Sequence, residues 1–306
     1  MTVKNTIAAV VVTYNRRALL KDCIDRLLAQ KNAACDILVV DNASTDGTPD
    51  MVAAMTDSRV RYRCTGENLG GAGGFHFGMR WAVEDGYERV WLMDDDTLPE
   101  PDALRALIEA EARVGDGYGF LSSVPRWKDG TGCVMNRPGV AREYEKDLSL
   151  LGEGLIRIEQ ATFVSMFLPA GVIRRYGLPI RQFFIWADDI EYSRRLCVRG
   201  GLPSYLVGNS HVVHMTAQNV GSDLARDCPE RIDRYRLAYR NECYLFRQEG
   251  VRGRLHYLRR CAAAFKGVLF RARDHRLRRI AALLRGMAEG IVFRPGVEFA
   301  ARGEED

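Results

Sequence analysis

Three consecutive aspartates, Asp94 to Asp96, follow the apolar run Val90–Met93 and therefore lie at the C-terminal end of a predicted buried strand. An open α/β sheet binds its ligand at that edge. Clustered carboxylates repel one another unless a cation lies between them, and their hard oxygens suit Mg²⁺ or Mn²⁺ carrying a diphosphate. The triplet predicts metal-assisted handling of a phosphate ester. The alternative is a solvated acidic turn that caps a helix beginning at Pro101.

Polar side chains also follow the first two predicted strands, in the segments Thr13 to Arg16 and Asp41-Asn42. Each segment alone is ordinary turn chemistry. Because carboxyl ends of parallel strands meet at one edge, we expect these groups beside the aspartates, offering partners for a base and ribose and a cation for phosphate.

A glycine-rich segment, Asn68 to Phe75, lies between a predicted strand and a helical pattern. Its amides are able to approach a phosphate or sugar closely. It lacks the dinucleotide fingerprint, since position 76 is histidine, and it lacks a P-loop lysine. These absences weigh against dehydrogenase and ATPase functions. The alternative is that the glycines only let a helix pack tightly on the sheet.

A second carboxylate pair, Asp188-Asp189, opens a predicted helix that continues to Arg199. Asp188 with Glu191 resembles a capping box, which would leave Asp189 free to face a cleft beside an aromatic wall. Asp189 is therefore the better candidate for a general base. The alternative role for Asp189 is stabilisation of the helix dipole.

Two histidines three residues apart, His211 and His214, follow a predicted short strand. Strand alternation turns them to different sides, so one of them is available as a ligand. A hydrogen-bonded structural role is the alternative.

The elements needed to position these groups follow from the hydrophobic pattern. Short β-branched runs alternate with helical stripes over the first 125 residues, as in a mostly parallel sheet covered on both faces. Beyond Pro229 the pattern is helical, with breaks near residues 250–253 and 273–275. The strand candidates are Ile7 to Thr13, Ile37 to Asp41, Val60 to Cys64, Val90 to Met93, Phe120 to Ser123 and Ala161 to Pro169.

Composition indicates a globular protein whose 306 residues, 47% of them hydrophobic, can bury a large core. The start of the chain shows no export signal, and its first apolar run is too short for a membrane span. Eight scattered cysteines without zinc spacing predict reduced thiols and hence the cytoplasm.

The basic charge is concentrated between Arg252 and Arg294, where twelve Lys or Arg residues face only Asp274 and Glu289. Leucines, isoleucines and phenylalanines at helical spacing are interleaved with it. This segment suits the inner face of the plasma membrane, and two helices packed on the core are the alternative. No nucleic-acid partner is expected, because neither a recognition motif nor an aromatic platform accompanies the charge.

Together these motifs resemble glycosyltransferase family 2, and within it the bacterial galactofuranosyltransferases. The resemblance runs in order from residue 7 to about residue 245. Related rhamnosyltransferases share much of it. The segments that carry it are Val11 to Arg16, Val39 to Asn42, Asn68 to Phe75, Trp91 to Asp96, Phe184 to Tyr192, Val213 to Met215 and Tyr239 to Asn241.

The resemblance implies an α/β fold of the GT-A type with a C-terminal helical extension, and a metal-dependent, inverting transfer from a UDP-sugar. It implies Asp189 as catalytic base, a nucleotide site, a metal site for Mn²⁺ or Mg²⁺, and a donor and acceptor pocket. The nucleotide site comprises Thr13, Tyr14, Asn15, Arg16, Asp41, Asn68, Asp94 and Asp95; the metal site comprises Asp94, Asp96 and His214; the pocket comprises Gly71, Gly73, Gly74, Phe75, Trp186 and Asp188.

The expected function is transfer of galactofuranose from UDP-galactofuranose to a saccharide or lipid-linked glycan acceptor in cell-surface polysaccharide synthesis. A dTDP-rhamnose transferase and a non-catalytic, membrane-associated glycan-binding scaffold are the alternatives. A pyrophosphorylase is disfavoured, because no glycine-rich basic loop follows the first strand. We expect a catalytic domain over residues 1–228, with a nucleotide half to about 125 and an acceptor half from about 126, and a basic helical region over 229–306. Ala187 separates Trp186 from the aspartate pair, unlike the polymerising enzymes, and oligomeric state is left open.

Overall fold

The computed structural model describes residues 5–300, which fold into a mixed sheet with helices on both of its faces. The strands are β1 (Ile7–Thr13), β2 (Asp36–Asp41), β3 (Val60–Cys64), β4 (Arg89–Asp94), β5 (Thr97–Pro99), β6 (Leu121–Trp127), β7 (Gly139–Val140), β8 (Leu155–Gln160), β9 (Met166–Pro169) and β10 (Tyr205–His214). The helices are α1 (Arg17–Leu28), α2 (Thr48–Ala53), α3 (Gly70–Glu84), α4 (Ala103–Val114), α5 (Leu148–Gly152), α6 (Ala170–Tyr176), α7 (Asp188–Arg194), α8 (Arg234–Arg247), α9 (Gly250–Arg271) and α10 (Arg276–Val292).

The first four strands form a parallel block in the order β3-β2-β1-β4. Thr13 pairs with Asp41, and Val12 pairs with Asp94, so the carboxyl ends of β1, β2 and β4 align. β1 is buried along its whole length, as expected for a strand covered on both faces. This block is the part of the sheet that the β-branched runs predicted.

The second half of the sheet is mixed, because β9 lies antiparallel between β4 and β6. β10 runs parallel to β6, so its end at His214 reaches the same edge as the end of β4. The expected parallel arrangement is thus found in the first block, and β9 makes the sheet as a whole mixed. The predicted strand from Ala161 forms only over Met166–Pro169, whereas β6 extends past Ser123 to Trp127.

Helices cover both faces of the sheet and enclose two apolar cores. α3 packs over β1 and β2 on one face, and α1 with α4 covers the other. Two glycines permit the approach of α3. A Cβ on Gly78 would lie 2.3 Å from Val10 Cγ1, and a Cβ on Gly74 would lie 2.4 Å from Val12 Cγ1.

The C-terminal helices α8, α9 and α10 pack against one another around a third apolar cluster, which includes Tyr239, Tyr257 and Leu283. Their breaks at residues 248–249 and 272–275 lie close to the predicted ones. The basic segment therefore does pack on the protein through one of its faces. Over residues 5–300, none of the helices combines the length and apolar character that a bilayer crossing requires.

Candidate active site

The three predicted metal ligands lie together at the carboxyl edge of the sheet. Asp94 ends β4, Asp96 follows it by two residues, and His214 ends β10. One ligand atom from each lies within 4.8 Å of the others. His214 Nε2 is 3.0 Å from Asp96 Oδ1, and the amide of Met215 donates to the carbonyl of Asp96. The mixed second half of the sheet is what brings the histidine to the aspartates.

Burial and mutual charge set the protonation of this cluster. Burial, followed by the neighbouring Asp96 charge, raises the pKa of Asp94 to about 7. Burial alone would lower the pKa of His214, but hydrogen bonds to Asp96 and Cys133, together with the charges of Asp96 and Asp94, outweigh it and raise that pKa to about 10. Burial would likewise raise the pKa of Asp96, and the hydrogen bond from His214 lowers it instead.

The donor set fits a hard divalent cation, because it pairs two carboxylates with one imidazole nitrogen. Asn136 orients that imidazole: its Oδ1 accepts from His214 Nδ1 at 2.7 Å, while its Nδ2 donates to Thr162 Oγ1 at 3.0 Å. Nε2 is therefore the nitrogen that faces the carboxylates. Sequence reasoning missed Asn136, because it lies in the irregular stretch between residues 128 and 154 and carries no periodic signal.

The middle aspartate of the triplet has a different role. Asp95 accepts from Thr13 Oγ1 at 2.8 Å and from Arg16 at 3.2 Å, and the same Arg16 nitrogen reaches Asp96 Oδ2 at 2.7 Å. Burial raises the pKa of Asp95 to about 6, against the lowering effect of Arg16. Asp95 thus holds a half-exposed guanidinium at the mouth of the cluster, where a phosphate would meet it.

The remaining predicted nucleotide residues divide between accessible and buried positions. Tyr14 and Asn68 are exposed, and Asn15, also exposed, accepts from the amide of Thr45 at 2.7 Å, which ties the loop after β1 to the loop after β2. Asp41 is wholly buried; Tyr62 Oη and the Ser44 amide donate to it. A direct nucleotide contact through Asp41 is therefore not supported by this arrangement.

The glycine-rich segment forms the first turns of α3, and its members face different ways. Gly71 has open space where a Cβ would lie, whereas a Cβ on Gly73 would meet the Leu69 side chain at 2.4 Å. Gly74 faces β1, and Phe75 is buried in the core with its ring 4.6 Å from that of Phe163. The prediction that Gly74 and Phe75 line the pocket is corrected: helical periodicity turns both of them to the sheet.

The segment before α7 adopts an unusual backbone. Phe184, Trp186 and Ala187 all have positive φ angles, between 62° and 67°. Each such non-glycine residue costs on the order of 1–3 kcal/mol and is retained where the surroundings enforce it, frequently at functional sites. The result is a tight reversal of the chain that delivers Asp188 and Asp189 at the start of α7.

The predicted capping box at α7 is wrong. Ala187 is the N-cap residue, and the buried Glu191 pairs with Arg195 and Arg199 instead of returning to the helix start. The helix is expected to continue to Arg199. In the structure α7 ends at Arg194, and Arg195–Arg199 form a π-helical turn. Asp189 Oδ1 accepts from the Ile190 amide at 2.7 Å, so Asp189 does bond a helix amide.

Asp188 feels the charge of the metal cluster across the site, and Asp189 follows it at the start of α7. Burial raises the pKa of Asp188 well above its usual range, followed by the charges of Asp189 and, from across the site, Asp94. Burial also raises the pKa of Asp189 to about 6. With a pKa of about 6, Asp189 is mostly ionised at neutral pH yet more basic than a free aspartate.

Trp186 lies beside this carboxylate pair and packs against the helical region. Its ring centroid is 4.8 Å from that of Tyr235, and Arg231 lies over its face. Trp186, the predicted acceptor-pocket residue, thus packs against α8 and the turn that precedes α8.

Comparisons with known proteins identify the class of enzyme that this chain resembles. Residues 8–127 match the family model described as Glycosyl transferase family 2. The galactofuranosyltransferase GlfT1 of Mycolicibacterium smegmatis is 28% identical over 267 residues, which covers 82% of this chain and 86% of that protein. Among solved structures, the mannosyltransferase PcManGT of Pyrobaculum calidifontis, in complex with GDP-Man and Mn²⁺, matches with a TM-score of 0.55 at 18% identity, over 95% of this chain and 76% of its own.

A crystal structure of GalNAc-T7 with UDP, GalNAc and Mn²⁺ matches with a TM-score of 0.58 at 12% identity. It covers 78% of this chain, and this chain spans about half, 48%, of that one. The fold and the site thus define a glycosyltransferase of the GT-A fold. Within that class, residues 8–127 match the family 2 model, and the expected resemblance to the galactofuranosyltransferases is confirmed.

Proposed function

We propose that this chain is an inverting, metal-dependent transferase that moves galactofuranose from UDP-galactofuranose to a hydroxyl of a saccharide or lipid-linked glycan. The observation that carries the reaction type is the cluster of Asp94, Asp96 and His214, with Asp188 near enough to feel the charge of Asp94 and Asp189 next to it in the chain. The similarity to GlfT1 over most of both chains supports the donor. The product would serve cell-surface polysaccharide synthesis.

Asp94, Asp96 and His214 would hold Mn²⁺ or Mg²⁺, an assignment supported by the Mn²⁺ of both solved neighbours. The ion, when bound, would neutralise negative charge that develops on the departing nucleotide. Arg16 lies at the same mouth and would contact the diphosphate. Thr13, Tyr14, Asn15 and Asn68 line or fix the adjoining loops and would surround the nucleotide.

Asp189 would act as the general base, taking the proton from the acceptor hydroxyl as that oxygen attacks the anomeric carbon. A direct displacement of this kind inverts the anomeric centre and requires no covalent enzyme intermediate. Asp188 would lie beside it in the donor and acceptor pocket, where burial raises its pKa and favours its neutral form. Trp186, held against Tyr235, would line the acceptor side, and Gly71 and Gly73 would lie near the donor.

A panel of donors tests the proposal. Purified protein is incubated with UDP-galactofuranose, UDP-galactopyranose and dTDP-rhamnose, with Mn²⁺ and with EDTA, and released nucleotide is measured. We expect release from UDP-galactofuranose that EDTA abolishes and that D96A removes. Preferential release of nucleotide from dTDP-rhamnose would show that dTDP-rhamnose is the donor. Nucleotide release that is insensitive to EDTA would contradict the metal site.

For the location, we propose a cytoplasmic enzyme that binds the anionic inner face of the plasma membrane through its basic helical region, residues 229–306, with residues 1–228 as the catalytic domain. The support is an apolar surface on α9 that the fold leaves uncovered. Spaced at helical intervals, its members are between 39% and 71% exposed and lie within roughly 80° of arc. This α9 stripe consists of Val251, Leu255, Leu258, Phe265 and Leu269.

Basic side chains border the α9 stripe. Arg252, Arg259 and Lys266, seven residues apart, follow one side of it, and Arg254 lies on the other. Within residues 5–300, these four cations form no ion pair with a carboxylate. An exposed apolar stripe with unpaired cations beside it is the pattern of a helix that lies on an anionic lipid surface.

The neighbouring helix α10 repeats the pattern. Leu277, Leu284 and Ile291 are 52–84% exposed and fall within roughly 40° of arc. Arg278 and Arg285 each follow one of these leucines by one residue. A protein bound to the bilayer through α9 and α10 would meet a lipid-linked acceptor in that same bilayer.

A further inference from the structure

The strained segment before the candidate base, residues 183–187, leaves several backbone carbonyls pointing at one place. Carbonyl oxygens of Phe183, Ile185 and Trp186 lie within hydrogen-bond distance of a single nitrogen. Converging carbonyl dipoles repel one another, and a buried acceptor without a partner is costly. This backbone reversal therefore requires a donor from elsewhere in the molecule.

That donor is the side chain of Asn241 in α8. It is completely buried, and its Nδ2 donates to Phe183 O at 3.0 Å, Ile185 O at 3.1 Å and Trp186 O at 2.9 Å. The amide has two hydrogens, so three acceptors share them. No other side chain in residues 5–300 bonds three carbonyls of this segment.

The orientation of the Asn241 amide is itself fixed. Arg240 Nε donates to Asn241 Oδ1 at 3.0 Å. Because an arginine nitrogen can only donate, this contact identifies the amide oxygen, and the amide nitrogen therefore faces the carbonyls. Arg240 also donates to Phe183 O at 3.3 Å, so two consecutive residues of α8 hold the same segment. The motif Tyr239 to Asn241, which carries part of the family resemblance, gains a structural role from these contacts.

The opposite side of the segment is held by α3. The Ala72 amide donates to Phe184 O at 3.1 Å, and a Cβ on Gly70 would lie 2.1 Å from that same oxygen. The segment is therefore clamped between the glycine-rich turn of the family 2 domain and the C-terminal helices. Only α8 provides side-chain donors to it from the helical region in the described range.

We infer that Asn241 is a positioning residue that holds the strained turn before α7 and thereby fixes where Asp188 and Asp189 lie relative to the metal cluster. This inference rests on the proposed function of Asp189. It makes the C-terminal helices part of the catalytic geometry, because the amide that fixes the base belongs to α8. Asn241 itself does not touch substrate.

Steady-state kinetics of N241A, N241D and the milder N241S test the inference. We expect N241A to lower kcat roughly 10- to 100-fold, the scale of a misplacement of about 1 Å. N241D should lose more, because its carboxylate would face the carbonyls, and N241S, which keeps one donor, should lose less. Calorimetric affinity for UDP with Mn²⁺ should stay within about twofold, since the nucleotide side is built on β1, β2 and β4.

R247A is the matched control. Arg247 also lies in α8 and also binds backbone carbonyls, those of Gly290 and Phe293, but it ties α8 to the end of α10. It should lower the Tm and leave kcat within about twofold. An equal loss of kcat in R247A and N241A, or wild-type kcat in N241A, would overturn the inference.

A spectroscopic signature separates positioning from general destabilisation. The chain has four tryptophans, so ¹⁹F NMR of the 5-fluorotryptophan protein gives four resonances, and W186F assigns that of Trp186. N241A, or N241S if N241A does not fold, should move the Trp186 resonance and leave those of Trp81, Trp91 and Trp127 in place. An unmoved Trp186 resonance would contradict the clamp.

D189N distinguishes failure of this inference from failure of the proposed function. Wild-type turnover in D189N would remove the base assignment, whatever N241A does. Loss of turnover in D189N together with wild-type kcat and an unmoved Trp186 resonance in the Asn241 variants would remove only the clamp.

Discussion

Five aspartates at this site are identical in type and differ in what surrounds them. Asp95 is bound by Thr13 and Arg16, and Asp96 by His214 and Arg16. The Asp94 carboxylate has a raised pKa and, among residues 5–300, accepts no side-chain hydrogen bond. Asp189 combines burial with an ionised form at neutral pH, which suits a base. Environment, more than residue identity, therefore assigns the roles.

D189N is predicted to lose transfer by roughly a hundredfold or more, because an amide cannot accept the acceptor proton. The substitution keeps the size and the hydrogen bond to the Ile190 amide. Binding of UDP with Mn²⁺, measured by calorimetry, should remain within about twofold of wild type. Turnover at the wild-type rate would end the assignment of Asp189.

The raised pKa of Asp189 predicts an acid limb in the pH profile. Because the base must be ionised and its pKa is raised from 3.8 to about 6, kcat should be constant above that value. It should fall about tenfold per pH unit below it. Saturating donor and Mn²⁺ keep Asp94, with its pKa of about 7 in the free site, ionised during the measurement. A limb near pH 4 would show an unperturbed carboxylate and contradict the burial argument.

At the scale of elements, the sequence predicts the parallel block β1 to β4, but it does not predict how the later strands pair with that block. The predicted bounds of β1 match the observed ones, because a strand buried on both faces shows as a continuous apolar and β-branched stretch. The predicted bounds of β3 also match, although this edge strand is only partly buried. The insertion of β9 between β4 and β6 depends on contacts between distant residues, which no local pattern records. The same applies to Asn136 and Asn241, whose partners are 78 and at least 55 residues away in sequence.

Glycine placement in α3 gives a prediction at this scale. G78A is expected to destabilise the protein by about 1–3 kcal/mol, since its Cβ would lie 2.3 Å from Val10 Cγ1 and 2.9 Å from Val40 Cγ2. The matched control is G71A, in the same helix with open space around its Cβ, which should be neutral or stabilising by up to about 1 kcal/mol. Urea unfolding of both variants measures the difference, and equal midpoints would refute tight packing of α3 on the sheet.

For the whole molecule, the sequence indicated both a sheet that carries the chemistry and a basic helical region, and it left open whether that region packs or faces a membrane. The structure shows that one face packs: Tyr257, Cys261 and Val268 are buried on α9. The opposite face keeps the α9 stripe exposed. A periodic pattern reveals that a helix has apolar residues on several sides, but only the packed structure shows which side remains uncovered.

Membrane binding of the whole protein is the final prediction. Co-sedimentation with vesicles should be strong when they contain phosphatidylglycerol, weak with phosphatidylcholine alone, and weakened by salt, because cations near an anionic surface contribute about 1 kcal/mol each and are screened. L258E/F265E should reduce partitioning at least about tenfold, whereas the matched control V140E/L148E, at exposed apolar residues outside the helical region, should not. R252Q/R259Q/K266Q should remove the preference for phosphatidylglycerol and leave only the weak vesicle binding that is the same for both lipids. Partitioning that is the same for both lipids, or equally reduced by both double variants, would show that the stripe does not meet the bilayer.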